Sequence, residues 1–97
     1  MSFQTTITED RRLSILLVLR ETPGYSANAF LLADAIGSIY GHHASADQVQ
    51  GDIAWLHEQQ LVTSRTLGAI TLATLTARGA DATAGRANVP GVKKPMP

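Results

Sequence analysis

Between Leu13 and Leu19 every residue except Ser14 is apolar. Seven residues make two helical turns, so a helix here is greasy on nearly every face. Just upstream, Thr6-Ile7-Thr8-Glu9 fits a capping box, in which the threonine oxygen and the glutamate side chain satisfy exposed backbone N–H groups. Glu9 and Asp10 also suit the positive end of a helix dipole. The pattern predicts a first helix from Thr6 to about Thr22, where Pro23-Gly24 stops it. Two roles stay open for it: a central helix clasped by the domain, or one that also forms a dimer seam through Leu13, Leu16, Leu17 and Leu19.

Ser26 is the expected cap of a second helix whose buried side is Phe30, Leu32, Ala33, Ile36 and Ile39. Gly41 suits its C-terminus, and His42-His43-Ala44 reads as a short connection. A second capping box, Ser45-Ala46-Asp47-Gln48, opens a third helix over 45–60. Val49, Ile53 and Leu56 fall at i, i+4 and i+7 and make one narrow inward stripe, while Asp47, Gln50, Gly51 and His57 face elsewhere. Gly51 in mid-helix costs about 1 kcal/mol relative to alanine, so it reads as room for another backbone to approach.

After Gln60 the period becomes alternating. Leu61 to Arg65 predicts a strand, Thr66-Leu67-Gly68 a turn, and Ala69 to Leu75 the return strand. Thr76 can cap a short last helix. Residues 88–97, NVPGVKKPMP, hold three prolines and a glycine and predict an extended tail outside a domain of residues 1–87. The fold class is therefore mainly α with a β-hairpin.

Composition adds two constraints. The chain of 97 residues is 44% apolar but only 16% charged, against a typical ~25% charged, so one copy has more apolar surface than it readily buries and a homodimer is expected. There is no cysteine to make a disulfide or thiolate site. No apolar run approaches the ~18 residues of a membrane span, and the start, MSFQTTITEDRR, lacks the pattern of a signal peptide. A cytoplasmic location is the expectation.

Net charge is zero but unevenly spread. Residues 1–44 carry Arg11, Arg12 and Arg20 against Glu9, Asp10, Glu21 and Asp34, a net of −1. The third helix carries only Asp47, Asp52 and Glu58, a net of −3. Residues 61–97 carry Arg65, Arg78, Arg86, Lys93 and Lys94 against Asp81, a net of +4.

Three helices followed by a hairpin is the order of a winged helix-turn-helix. Asp52-Ile53-Ala54-Trp55-Leu56 followed by Gln60-Leu61-Val62 resembles the D-hydrophobic-x-x-L-x-x-x-G-L-V end of a winged-helix recognition helix. Leu75-Thr76-Ala77-Arg78-Gly79 is similar to the L-T-x-x-G that follows the wing in bacterial regulators of the ArsR, MarR and PadR kinds. Through TEDRRLSIL, DQVQGDIAWLHEQQLVT and TARGADATAGRANVPGVKKP, nearly the whole chain resembles a small winged-helix protein of Mu-like phages and prophages, often labelled ArsR-like. The resemblance implies a regulator in a bacterial host cell, its third helix in a major groove and its hairpin along the backbone or minor groove. Gln60 stands where the motif has a glycine in left-handed conformation, which implies a strained or differently shaped junction.

On this reading Ser45, Gln48, Gln50 and His57 are the candidates for base edges. Arg65, Lys93 and Lys94 are the candidates for phosphates, and double-stranded DNA is the expected partner. The plainer reading has Gln48 occupied by its cap and Gln50 merely solvated. A rival use of the same fold is a protein-interaction module in phage packaging or assembly, motivated by the acidic third helix and the surplus apolar surface. His42, His43 and His57 lack metal-ligand spacing, Trp55 reads as a packing residue, and no nucleophile, phosphate-loop or dinucleotide motif occurs. No cofactor and no enzymatic activity are expected.

Overall fold

In the computed structural model, which describes residues 2–96, α1 (Phe3–Glu21) starts one turn before the expected cap. The Ser2 hydroxyl accepts from the Thr5 backbone N–H at 3.1 Å, and Thr6 sits inside the helix with its hydroxyl donating to the Ser2 carbonyl. Serine caps at least as well as threonine, so the earlier start gains a turn at no loss. Thr22 ends the helix as Pro23 requires, and a 3-10 turn follows over Pro23–Tyr25.

Ser26 caps nothing. It opens a short strand, β1 (Ser26–Asn28), and the cap of α2 (Ala29–Tyr40) is Asn28, whose Oδ1 accepts from the Leu31 N–H at 2.8 Å. The shift resets the inward face of α2 to Ala29, Leu32 and Ile36, leaving Phe30 and Ile39 exposed, contrary to expectation. Gly41 ends α2 in the left-handed conformation, φ 75. Next come α3 (Ala46–Glu58), β2 (Val62–Leu67), β3 (Ile70–Leu75) and α4 (Ala77–Thr83). The hairpin turns at Gly68-Ala69, later than predicted, because Gly68 takes the positive φ of 63 that the reversal needs. The sheet order is β1-β3-β2, antiparallel throughout, with Ser26 opposite Thr74 and Val62 opposite Leu75.

The core lies where α1 crosses α2, α3 and the sheet. Ile15, Leu16, Leu19, Leu32, Ile36, Val49, Ile53, Leu56 and Leu61 are all fully buried, and each such side chain contributes about 2 kcal/mol. Leu13, Leu16 and Leu19, three of the four leucines expected at a dimer seam, therefore face the protein's own core, and Leu17 is half-buried against it. That seam is corrected: the sheet and the other helices already cover the greasy helix.

The tail is irregular, as its prolines predict, but it is not detached. Val89 and Val92 are buried, and the Lys93 N–H donates to the Glu9 carbonyl at 3.2 Å, so residues 89–93 lie along α1.

Candidate nucleic-acid interface

The inner side of α3 is fixed by charge as well as by its apolar stripe. Asp52 is 5% exposed, and its carboxylate accepts from Arg11 Nε at 2.5 Å and Nη2 at 3.1 Å, a two-point geometry that sets orientation as well as energy. Arg12 reaches the same carboxylate only at 4.0 Å through a buried Nε that has no hydrogen-bond partner. Its guanidinium lies 3.9 Å from the Trp55 ring centroid and donates through Nη1 to the Gly91 carbonyl at 2.9 Å. The hydrogen bond to Asp52 raises the Arg11 pKa, whereas burial lowers that of Arg12. Gly91, at φ 97, lies so close to Trp55 that a Cβ would stand 2.6 Å from the ring. Trp55 is thus a packing residue, held between α1 and the tail.

This arrangement revises the charge of the third helix. Asp52 is neutralised from within, so the carboxylates that α3 turns to solvent are Asp47 and Glu58. The sequence offered one sign of this: Asp52 falls inside the stripe of Val49, Ile53 and Leu56, where a carboxylate needs a buried partner.

The far end of α3 is sealed by the segment after the wing. Gln60 does adopt the left-handed conformation, φ 63, at a cost of about 1 kcal/mol for a side chain with a Cβ. Thr76 donates its hydroxyl to the Gln60 carbonyl at 2.7 Å and its N–H to the Leu61 carbonyl at 3.1 Å, and Arg78 Nε donates to the Gln59 carbonyl at 3.0 Å. Gly79 packs directly on the Leu61 carbonyl, and a Cβ there would also lie 2.6 Å from Leu75 Cδ1. The Leu75–Gly79 motif is therefore a clasp for the helix end.

The residues expected at base edges do not converge on a reading surface. Ser45 and Gln48 hold each other's backbone N–H groups at 3.1 Å in the capping box. His57 Nδ1 lies 3.3 Å from the Val62 carbonyl and points back to the wing. Gln50 is half-buried with no such commitment. The outward face of α3 runs Asp47, Gly51, Ala54 and Glu58, small in the middle and acidic at both ends.

The cations sort the same way. Lys93, expected on phosphate, stands 3.3 Å from Asp10 Oδ1, while His42 Nε2 stands 2.6 Å from Oδ2. Burial pushes the Asp10 pKa up, but hydrogen bonds from His42 and Lys93 outweigh it and hold the carboxyl below its ordinary 3.8. Arg20 pairs with Glu21 and Arg86 with Asp81. Among the described residues, Arg65, Lys94 and Arg78 are the cations without an acidic partner. Arg78 was missed by the sequence reading, although its place in the clasp motif puts it beside the end of α3.

Helices α1 to α3, a hairpin beyond α3 and a short strand completing the sheet define the winged helix-turn-helix class. The solved complex structures of hsRosR-S1 and hsRosR-S4 share this fold with a TM-score of 0.65 at 22% identity. Each covers 75% of this chain, which spans 63% and 62% of theirs. The chain is 50% identical over 91 residues to the uncharacterized protein gp26 of Escherichia phage Mu, covering 94% of this chain and 93% of that protein, and it belongs to that family. It is also 45% identical over 67 residues to an uncharacterized protein of Haemophilus influenzae, covering 69% of this chain and 64% of the other. No protein-family model matches the chain. No helix among the described residues is long and apolar enough to cross a membrane.

Proposed function

We propose that this phage-type winged-helix protein binds duplex DNA as a regulator, with α3 against a groove and the hairpin supplying the attraction. The observation that carries the reading is the charge of the segment around the wing. Residues 59–80 contain Arg65 and Arg78 and no Asp or Glu, and among the described residues neither arginine is in an ion pair. Strong binders make ~6–10 phosphate contacts. Arg65, Arg78 and Lys94 fall short of that in one copy and reach its lower end in two, so DNA binding by this chain calls for a homodimer. Gln50 is the side chain best placed for a base edge, since the caps and Val62 occupy the others.

The test is binding of the purified protein to mixed duplex DNA across a salt series, with its oligomeric state measured in the same buffers. Affinity should appear near 50 mM salt and fall as salt rises, and Arg65→Ala with Gln50→Ala should weaken it. Duplex binding unchanged in that double variant would sink the assignment of these residues. No binding at low salt would favour the second reading, a module for a phage assembly protein. What speaks for that reading is the exposure of large apolar side chains on α2, Phe30, Leu31, Ile39 and Tyr40, and the acidic ends, Asp47 and Glu58, of the exposed face of α3.

A further inference from the structure

The wing tip is apolar where a phosphate-binding wing would be cationic. Leu67 and Ile70 are direct cross-strand partners on either side of the Gly68-Ala69 turn, and they are 50% and 44% exposed. Strand alternation sorts the hairpin into two faces. Val62 and Ala73 lie buried on the inner one, and Thr63, Arg65, Leu67, Ile70, Leu72 and Thr74 share the outer one. Arg65 thus projects from the same face as the two exposed aliphatics, opposite Leu72. No acid lies anywhere in the hairpin, and Thr63 and Thr66 add exposed hydroxyls.

Aliphatic side chains cannot hold phosphates, yet they share their face with Arg65 and stand in a hairpin with no carboxylate to repel a polyanion. The dimensions decide how the two fit. The minor groove of B-DNA is about 6 Å wide, whereas the two strands of a hairpin are already about 4.8 Å apart between backbone axes. The ribbon itself cannot enter an undistorted groove; only side chains at its tip can. Apolar side chains that enter there act as wedges that unstack a base step and bend the duplex toward the major groove, which widens the minor groove. We infer that Leu67 and Ile70 form such a wedge, inserted into the minor groove with Arg65 on the flanking phosphate. The inference rests on the duplex-binding reading. It adds a sequence preference that needs no base-edge contact, because pyrimidine–purine steps such as TA yield most easily.

The test uses 30-bp duplexes labelled at both ends for energy transfer, one with a central TA step and one with a G·C-rich centre, at about 50 mM salt. The wild-type protein should shorten the end-to-end distance and bind the TA duplex more tightly. Leu67→Ala with Ile70→Ala should lose the bend and on the order of tenfold in affinity for the TA duplex, while keeping the salt dependence and the thermal unfolding midpoint. Arg65→Ala should do the converse, retaining the bend and lowering the salt slope by about 1 per bound subunit, so by about 2 for the dimer. Equal bending by wild type and the Leu67/Ile70 variant would overturn the wedge and leave duplex binding intact. No binding of either duplex would overturn the duplex reading and the wedge with it.

Discussion

Asp52 and Arg65 show how differently two regions of this chain use charge. Asp52 lies inside, gripped by Arg11, with Arg12 behind it stacked on Trp55 and tied to the tail at Gly91. Arg65 stands on the open wing with no acidic partner among the described residues, surrounded by threonines and aliphatics. The motif residues with the most chemical character, an aspartate, two arginines and a tryptophan, are thus the scaffold that aims α3. The surface left over for a partner is chemically plain, with small residues along α3 and Leu67 and Ile70 at the wing tip.

The largest effect is expected at Asp52. Removing a buried acid leaves its largely buried cationic partner, Arg11, without its counter-charge, which is worse than never having had the pair. Asp52→Ala should destabilise the fold by about 3 kcal/mol, read as a lower denaturant midpoint with unchanged slope. A loss under about 1 kcal/mol, the worth of a surface pair, would mean that apolar packing alone seats α3.

The next largest effect is expected at the clasp. Gly79→Ala places a methyl group against the Leu61 carbonyl and Leu75 Cδ1, and such overpacking costs about 2 kcal/mol. Because the same segment caps the carbonyls of Gln59 and Gln60, hydrogen exchange should rise first in the last turn of α3 and the start of β2. Uniform destabilisation without that local signature would show that the motif packs the domain but does not govern the helix end.

How much of this was readable in advance depended on the range of the interaction. The third and last helices were legible because their signals are local: the Ser45–Gln48 capping box and the stripe at Val49, Ile53 and Leu56 for α3, and the Thr76 cap for α4, all form as the spacing predicts. Gln60 was legible too, since the motif's glycine announced a left-handed backbone. The start of α2 was not, because Ser26 and Asn28 are equally good caps and the choice follows from Ser26 pairing with Thr74, 48 residues on. The site misled in the same way. The Arg11–Asp52 pair spans 41 positions and the Arg12–Gly91 bond spans 79, so charges assigned to separate segments cancel only once the chain is folded. The Lys93–Asp10 pair is hidden for the same reason: the docking of the tail on α1 has no local signal that would take Lys93 away from phosphate.

The smallest expected effect, at Gly51, separates stability from recognition at one atom. Gly51 lies mid-way along the outward face of α3, and a Cβ built there meets nothing within 4 Å. For the isolated protein, Gly51→Ala should therefore stabilise by about 1 kcal/mol, the ordinary helix penalty of glycine. A partner that comes close to α3 changes that balance: the added methyl group would meet it and weaken binding. The informative result is the pair of measurements on one variant, unfolding free energy and duplex affinity. Greater stability with weaker binding would place the partner's surface on the Gly51 face of α3. Greater stability with unchanged binding would leave α3 out of contact and shift recognition to the wing, where Arg65, Leu67 and Ile70 would have to account for it.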